Sequence, residues 1–242
     1  ALTSMLTGAR QILMETFDPD ESIRLVERER ATMMHGFETH LKELSEAQER
    51  INADISSLRC GVFACGMHSA VPIARRAAEV LAPMVSVTGY GMSEMGAGAT
   101  VGSLGDSVEQ RAETSGYPAP GYRFRIIDPA TNEEQPVGVP GEIVVKGYCL
   151  MMGYYNKPRE TADSYDADGW FHTGDTGVLR PDGYIRFFGR YKDMLKVGGE
   201  NVDPMEVEAL LLGLEGVQQV AVVAYPDPRL TDVAVAYIQV RA

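Results

Sequence analysis

Helical and strand-like spacings of apolar residues alternate through the first third of the chain. Asp18-Pro19-Asp20-Glu21 combines a capping carboxylate, a proline at the first helical position and a glutamate at the third. It predicts a helix running to about Arg30 that buries Ile23 and Val26. Ala31 to His35 reads as a strand ending at Gly36, followed by a helix over about 38–48 with Leu41 and Leu44 on one face. After a loop at 54–58, Cys60 to Ala64 reads as a short apolar strand closed by Gly66. A third helix over 70–81 leads to a third strand, Val85 to Thr88, which runs into Gly89-Tyr90-Gly91. Such alternation implies right-handed crossovers and a parallel sheet flanked by helices. Gly36, Cys65-Gly66 and Gly89-Tyr90-Gly91 should then gather at the carboxyl edge, where open α/β sheets bind ligands.

From about Tyr122 the pattern changes to short strands: 122–128, 141–146, 177–179 and 184–189. Turn strings separate them, of which Arg180-Pro181-Asp182-Gly183 is the best hairpin signal. A small antiparallel β-barrel or sheet is expected here. A third region pairs a strand at 195–197 with a tight turn at Gly198-Gly199. Asp203-Pro204-Met205-Glu206 then caps a helix over 204–212, before apolar strands at 217–225 and 233–240. The expected organisation is an α/β part (1–121), a β-rich subdomain (122–189) and the start of a small α+β unit (190–242).

The chain has 34 acidic and 22 basic residues in 242, a net charge of −12, which disfavours nucleic acid and anionic membrane as partners. No apolar run approaches the ~18 residues of a membrane span. Cys60, Cys65 and Cys149 show no CxxC spacing, which argues against a disulfide scaffold or zinc site and for a reducing cytoplasm. The first residues carry no signal-peptide pattern, and the chain opens without Met on structured-looking sequence, so a piece of a longer protein is expected.

Four strings could carry chemistry. Tyr90-Gly91-Met92-Ser93-Glu94 sets a hydroxyl and a carboxylate after a glycine at a strand end, a pairing suited to a phosphate oxygen and its Mg²⁺; read alone, Ser93 is more simply a helix cap. In Phe171-His172-Thr173-Gly174-Asp175 the aspartate reads first as a turn residue, although two carboxylate oxygens also suit a ribose diol. Gly189-Arg190-Tyr191-Lys192-Asp193 places an arginine after a strand, where it could hold a diol or phosphate, or be part of a solvated hairpin. Gly141-Glu142-Ile143-Val144-Val145-Lys146-Gly147, followed by Gly153-Tyr154, reads as structural, with no chemistry assigned.

In this order the four strings resemble the adenylate-forming enzymes, the AMP-dependent synthetases and ligases, and above all the acyl-CoA synthetases among them. The family carries a YGxTE-type string, a GE then a GY, an aromatic-x-TGD string, and GRxxDxxKxxG with an ExE helix, here Glu206-Val207-Glu208. The resemblance covers essentially the whole length. It implies ATP-dependent activation of a carboxylic acid to an acyl-adenylate and pyrophosphate, then transfer of the acyl group to coenzyme A. A fatty acid is the first expectation, since Met33, Met34 and Phe37 offer no charge partner for an amino substrate. Carrier-protein loading, a luciferase-type reaction and a non-catalytic nucleotide-binding module are the alternatives. A homodimer is left open.

Carried over by resemblance, Tyr90 stacks on adenine with Gly91 beside it, and Cys65, Gly66 and Met67 form the opposite wall. That wall departs from the family's usual Gly-Gly-Ala. Ser93 touches the α-phosphate, Glu94 holds Mg²⁺, Asp175 holds the ribose and Arg190 assists. Lys192 is the hinge about which the small C-terminal unit swings, and is counted with Ser93 and Glu94 as catalytic. Gly198 and Gly199 line a CoA tunnel. His35 and Gly36 lie near the acyl pocket, although His35 reads equally well as a buried strand-end histidine; His68 and His172 receive no role. The family's phosphate loop and its late catalytic lysine are not in this stretch, so the chain alone is expected not to adenylate efficiently.

Overall fold

The computed structural model describes residues 2–64, 70–198 and 200–240. After a short helix α1 (Leu2–Leu6), α2 (Pro19–Glu29) starts as its capping sequence dictates: the Asp18 carboxylate accepts the Glu21 N–H at 2.8 Å. Arg30 takes a left-handed conformation (φ 53°) and ends it. Strands β1 (Met33–Phe37), β2 (Cys60–Ala64) and β3 (Val85–Val87) form a parallel sheet in that order, with β1 on one rim. Helices α3 (Glu38–Ile51) and α4 (Val71–Val80) connect the strands. Ile23, Val26, Leu41, Leu44, Phe63 and Leu81 make the core between helices and sheet. Phe63 fits there because its ring lies against Gly36 and Gly61; a Cβ at Gly61 would collide with it and one at Gly36 would crowd it.

A two-stranded ribbon, β4 (Thr100–Val101) with β5 (Tyr117–Pro118), brackets α5 (Val108–Glu113). A capping box between Ser107 and Gln110 starts α5. Next comes an antiparallel sheet of β6 (Tyr122–Ile127), β7 (Gly141–Gly147), β8 (Phe171–Leu179) and β9 (Ile185–Arg190), with α6 (Pro158–Asp163) between β7 and β8. It is an open sheet and not a barrel: β6 and β9 stay at opposite edges, and four strands are too few to close around their own side chains. One face buries Tyr122, Ile126, Ile143, Val145 and Phe171 together with Tyr90 and Met95. On the other face Trp170 packs on Ile127 and Val144, and Arg123, Arg125 and Lys146 lie 5.8, 5.1 and 4.9 Å from its ring centre.

The last unit contains β10 (Leu195–Val197), β11 (Glu200–Val202), α7 (Pro204–Leu212), β12 (Val217–Asp227) and β13 (Thr231–Val240), with sheet order β11-β10-β13-β12. Asp203 caps α7 by accepting from Met205, one residue earlier than a full capping box would require. No helix of the described residues is long and apolar enough to cross a membrane.

Candidate functional site

Strand β8 begins at Phe171, six residues before the expected start, so Thr173-Gly174-Asp175 is not a turn but a bulge inside a strand. The register shows it. Val144 of β7 faces His172 and Glu142 faces Thr176, leaving three β8 residues opposite one on β7. Gly174 makes the bulge feasible with φ +69°, a conformation other residues resist. Thr173 ties it inward, donating its hydroxyl to the Ile143 carbonyl at 2.7 Å and accepting the Asp175 N–H at 3.0 Å.

The bulge sends Asp175 into the protein, where it is only 3% exposed. Tyr90, three residues after β3, donates its hydroxyl to Asp175 Oδ2 at 2.7 Å. Arg190 is the cross-strand partner of Asp175 on β9, with Nε 3.5 Å from Oδ1. That approach is an ion pair without hydrogen-bond geometry, so Oδ1 is buried with no hydrogen-bond partner among the described residues. Burial raises the Asp175 pKa above the usual carboxylate range; Tyr90 and Arg190 pull it back, while the charges of Glu142 and Glu94 push it further up. An orphaned carboxylate oxygen beside a guanidinium is a receptor for a hydroxyl-bearing ligand, since an unmade bond at a buried polar atom is costly.

Tyr90 is fixed from both sides of its backbone. Its N–H donates to Thr100 Oγ1 at 2.7 Å and its carbonyl accepts from Ala99 and Thr100 at 3.0 and 3.1 Å. Its ring packs on Phe187 and Phe124 at 5.4 and 6.4 Å, leaving 7% of the residue exposed. Burial raises the Tyr90 phenol pKa far above its ordinary value, with the neighbouring Asp175 charge adding to the effect, so the hydroxyl stays a donor. Gly91 follows where any Cβ would strike the Ala97 carbonyl. Ser93 is exposed and opens a 3₁₀ turn, Ser93–Met95, held by the Tyr122 hydroxyl on the Met95 carbonyl at 2.7 Å. Glu94 lies in that turn, within electrostatic reach of Asp175, and its Oε1 accepts the Tyr154 hydroxyl at 3.0 Å. Burial raises the Tyr154 pKa, with Glu94 adding to it.

Asp175 and Arg190 thus pair across the sheet, with Glu94 within electrostatic reach of Asp175, although 96 positions separate Glu94 from Arg190. Cys65, Gly66, Met67 and Gly199 lie outside the described residues. Lys192 is exposed in the 3₁₀ turn Tyr191–Asp193 directly after β9, and Gly198 takes φ +61° in the turn after β10. His35 is exposed instead of buried; with Gly36, Phe37, His40, Ala64 and Gly89 it lines a cavity of about 430 Å³ at the carboxyl edge of the parallel sheet. A larger hollow, about 720 Å³ between the N-terminal segment, α2 and β1, is lined by neither Glu94 nor Asp175 and is not this site. No three His, Cys, Asp or Glu side chains among the described residues are grouped to hold a metal, so a cation at Glu94 would share a ligand's own oxygens.

Two residues left without a role by the sequence reading belong to the site. Tyr154 holds Glu94, and Glu142, 9% exposed, accepts the Gly174 N–H at 3.1 Å through Oε1 while Oε2 lies 3.0 Å from His172 Nδ1. The signal for Glu142 was a glutamate directly before the apolar run Ile143-Val144-Val145, since a charge buried there needs a distant partner.

Residues 1–155 match the family model described as AMP-binding enzyme. The chain is 35% identical over 239 residues to a medium-chain fatty-acid–CoA ligase of Escherichia coli (strain K12), covering 98% of this chain and 41% of that protein. It is 37% identical over 237 residues to a feruloyl-CoA synthase of Amycolatopsis sp, covering 98% of this chain and 47% of that one. Among solved structures, the o-succinylbenzoate CoA synthetase of Bacillus subtilis in complex with its acyl-adenylate intermediate superposes with a TM-score of 0.86 at 27% identity, over all of this chain and 48% of that one. The chain therefore spans under half the length of the curated relatives it matches.

Proposed function

Because this chain belongs to the family of AMP-binding enzymes, we propose that it is the nucleotide-holding part of an acyl-CoA synthetase. In that reading the whole protein activates a carboxylic acid with ATP and passes the acyl group to coenzyme A. The observation that carries it is Asp175: a buried carboxylate with one oxygen on Tyr90 and the other unpaired beside Arg190. A ribose offers two adjacent hydroxyls to such a carboxylate, and Arg190 offsets its charge. Tyr90 meets the base with the small exposed part of its ring, so stacking there requires the packing with Phe124 and Phe187 to shift. Ser93 faces the α-phosphate. Glu94 would hold Mg²⁺, which neutralises phosphate charge when bound; the exchange would release Glu94 from Tyr154.

The cavity lined by His35, Gly36 and Phe37 takes the acyl group in this reading. Among the described residues its lining has two imidazoles but no lysine, arginine or carboxylate, which favours a fatty or aryl acid over an amino acid or a diacid. The α/β part (1–121) and the β-rich part (122–189) form one adenylating unit, and 190–242 is a mobile unit turning about Lys192, with Gly198-Gly199 passing the pantetheine arm.

Calorimetric titration of the chain with AMP is expected to show weak saturable binding, with Kd near roughly 1 mM. Pyrophosphate–ATP exchange dependent on a fatty or aryl acid is expected only from a protein that also contains the remainder of the fold. A chain that shows no AMP binding at any accessible concentration would remove the nucleotide reading, and exchange by the chain alone at the whole protein's rate would remove the division of labour.

A further inference from the structure

Asp175 is aimed by the bulge in β8, and two side chains anchor that bulge from opposite faces of the sheet. Thr173 does so from the core side. From the other side Glu142 reaches across from β7, where its Oε1 accepts the Gly174 N–H at 3.1 Å and its Oε2 meets His172 Nδ1 at 3.0 Å. Both contacts fall on the residues that shape the bulge, and Gly174 is the one whose positive φ sets its direction.

We propose that Glu142, oriented by His172, is a positioning residue for nucleotide binding: it clamps the Gly174 amide and so fixes where the Asp175 carboxylate points. The inference rests on the reading of Asp175 as the ribose receptor. Among the described residues Glu142 hydrogen-bonds neither Tyr90 nor Arg190, so it acts on a ligand through the bulge and through its charge on Asp175. A bond from an amide to a carboxylate is stronger than one between neutral groups, and an amide released inside the sheet would lose its partner. The cost of placing a second carboxylate near Asp175, where it adds to the rise in that group's pKa, is met by this anchoring. The charged or titratable groups facing Asp175 are Tyr90, Glu94, Glu142 and Arg190.

Two conservative substitutions in the 242-residue chain separate reach from charge, with AMP as the probe. Glu142→Asp keeps the charge and shortens the arm by one methylene; Glu142→Gln keeps the arm and removes the charge. Glu142→Asp is expected to weaken AMP binding about tenfold, the scale of one charge-assisted hydrogen bond, and to speed hydrogen exchange at the Gly174 amide by a similar factor. Glu142→Gln is expected to stay within about threefold of the wild type in both readouts. It should also move the acid limb of the AMP-binding pH profile to lower pH, because a like charge near Asp175 is gone, a shift that a purely structural role would not produce. Wild-type affinity and wild-type Gly174 exchange in Glu142→Asp would overturn the proposal. Asp175→Asn in the same titration separates the two readings: if it weakens binding while Glu142→Asp does not, the brace is wrong and the ribose site stands. If Asp175→Asn leaves AMP affinity untouched, the ribose reading fails, and the positioning role falls with it whatever the Gly174 exchange shows.

Discussion

Asp175→Asn is expected to leave the chain folded and to weaken AMP binding by about ten- to a hundredfold, the value of hydrogen bonds made to a charged group. Asparagine keeps an oxygen for the Tyr90 hydroxyl, which now reaches Asp175 Oδ2 at 2.7 Å. The other position becomes an NH₂ group, so the unpaired acceptor beside Arg190 turns into a donor that a ribose hydroxyl meets less well. The same substitution should not cost stability. Burial holds the Asp175 pKa above its unfolded value, so the folded state binds the extra proton. The stability contributed by that proton is complete at acid pH, below the unfolded pKa, and is lost as pH rises through the folded pKa. Asparagine carries no such dependence. Denaturant melts should therefore find the variant at least as stable as the wild type at neutral pH, with the advantage shrinking under mildly acidic conditions. Calorimetry that finds unchanged AMP affinity would sink the ribose assignment. A variant that unfolds would show that Asp175 is chiefly a structural ion-pair partner.

Phe63→Ala carries the largest expected effect on stability, about 3–5 kcal/mol. Folded domains of this kind rarely hold more than about 5–15 kcal/mol in total. Phe63 is fully buried near the end of β2. The atoms around its ring include the backbone at Gly36 and Gly61, which have no side chains to relax into the void. The site should therefore collapse poorly and the loss should lie toward the upper end of that range. Urea melts would read it as a lower midpoint with an unchanged slope. A loss below about 1 kcal/mol would mean that the core between the helices and the parallel sheet is not packed as described.

The parallel sheet was legible because its signals are local. Asp18-Pro19-Asp20-Glu21 specifies α2 with its own side chains, and Gly36 in β1 and Gly89 after β3 line the cavity at the carboxyl edge of the sheet. The convergence of Tyr90, Glu94, Asp175 and Arg190 was legible only through the order of four motifs, since nothing local ties a residue of β8 to one after β3. What escaped depends on pairing. Strand β8 begins six residues earlier than its alternation suggests, because the bulge at Thr173-Gly174-Asp175 breaks the two-residue period that marks a strand. The sequence left barrel and sheet both open, because edge pairing between distant strands leaves no local mark; the sheet is open. Helix α5 was readable and missed: Ser107 followed by Gln110 three positions later is a capping box, here formed in both directions. Helix α6 has only six residues and buries none of them, so it has no apolar period to detect.

The place of β1 on the rim of the parallel sheet governs how this chain behaves in concentrated solution. Its outer rail meets no other strand among the described residues. The segment Met33-Met34-His35-Gly36-Phe37 has none of the lysines or prolines that usually blunt such a border, and Met33 and Phe37 are 50% and 64% exposed. Kept apart from whatever covers that border, the chain offers a foreign strand a ready template, so self-association should grow with protein concentration and a lysine in place of Met33 should suppress it.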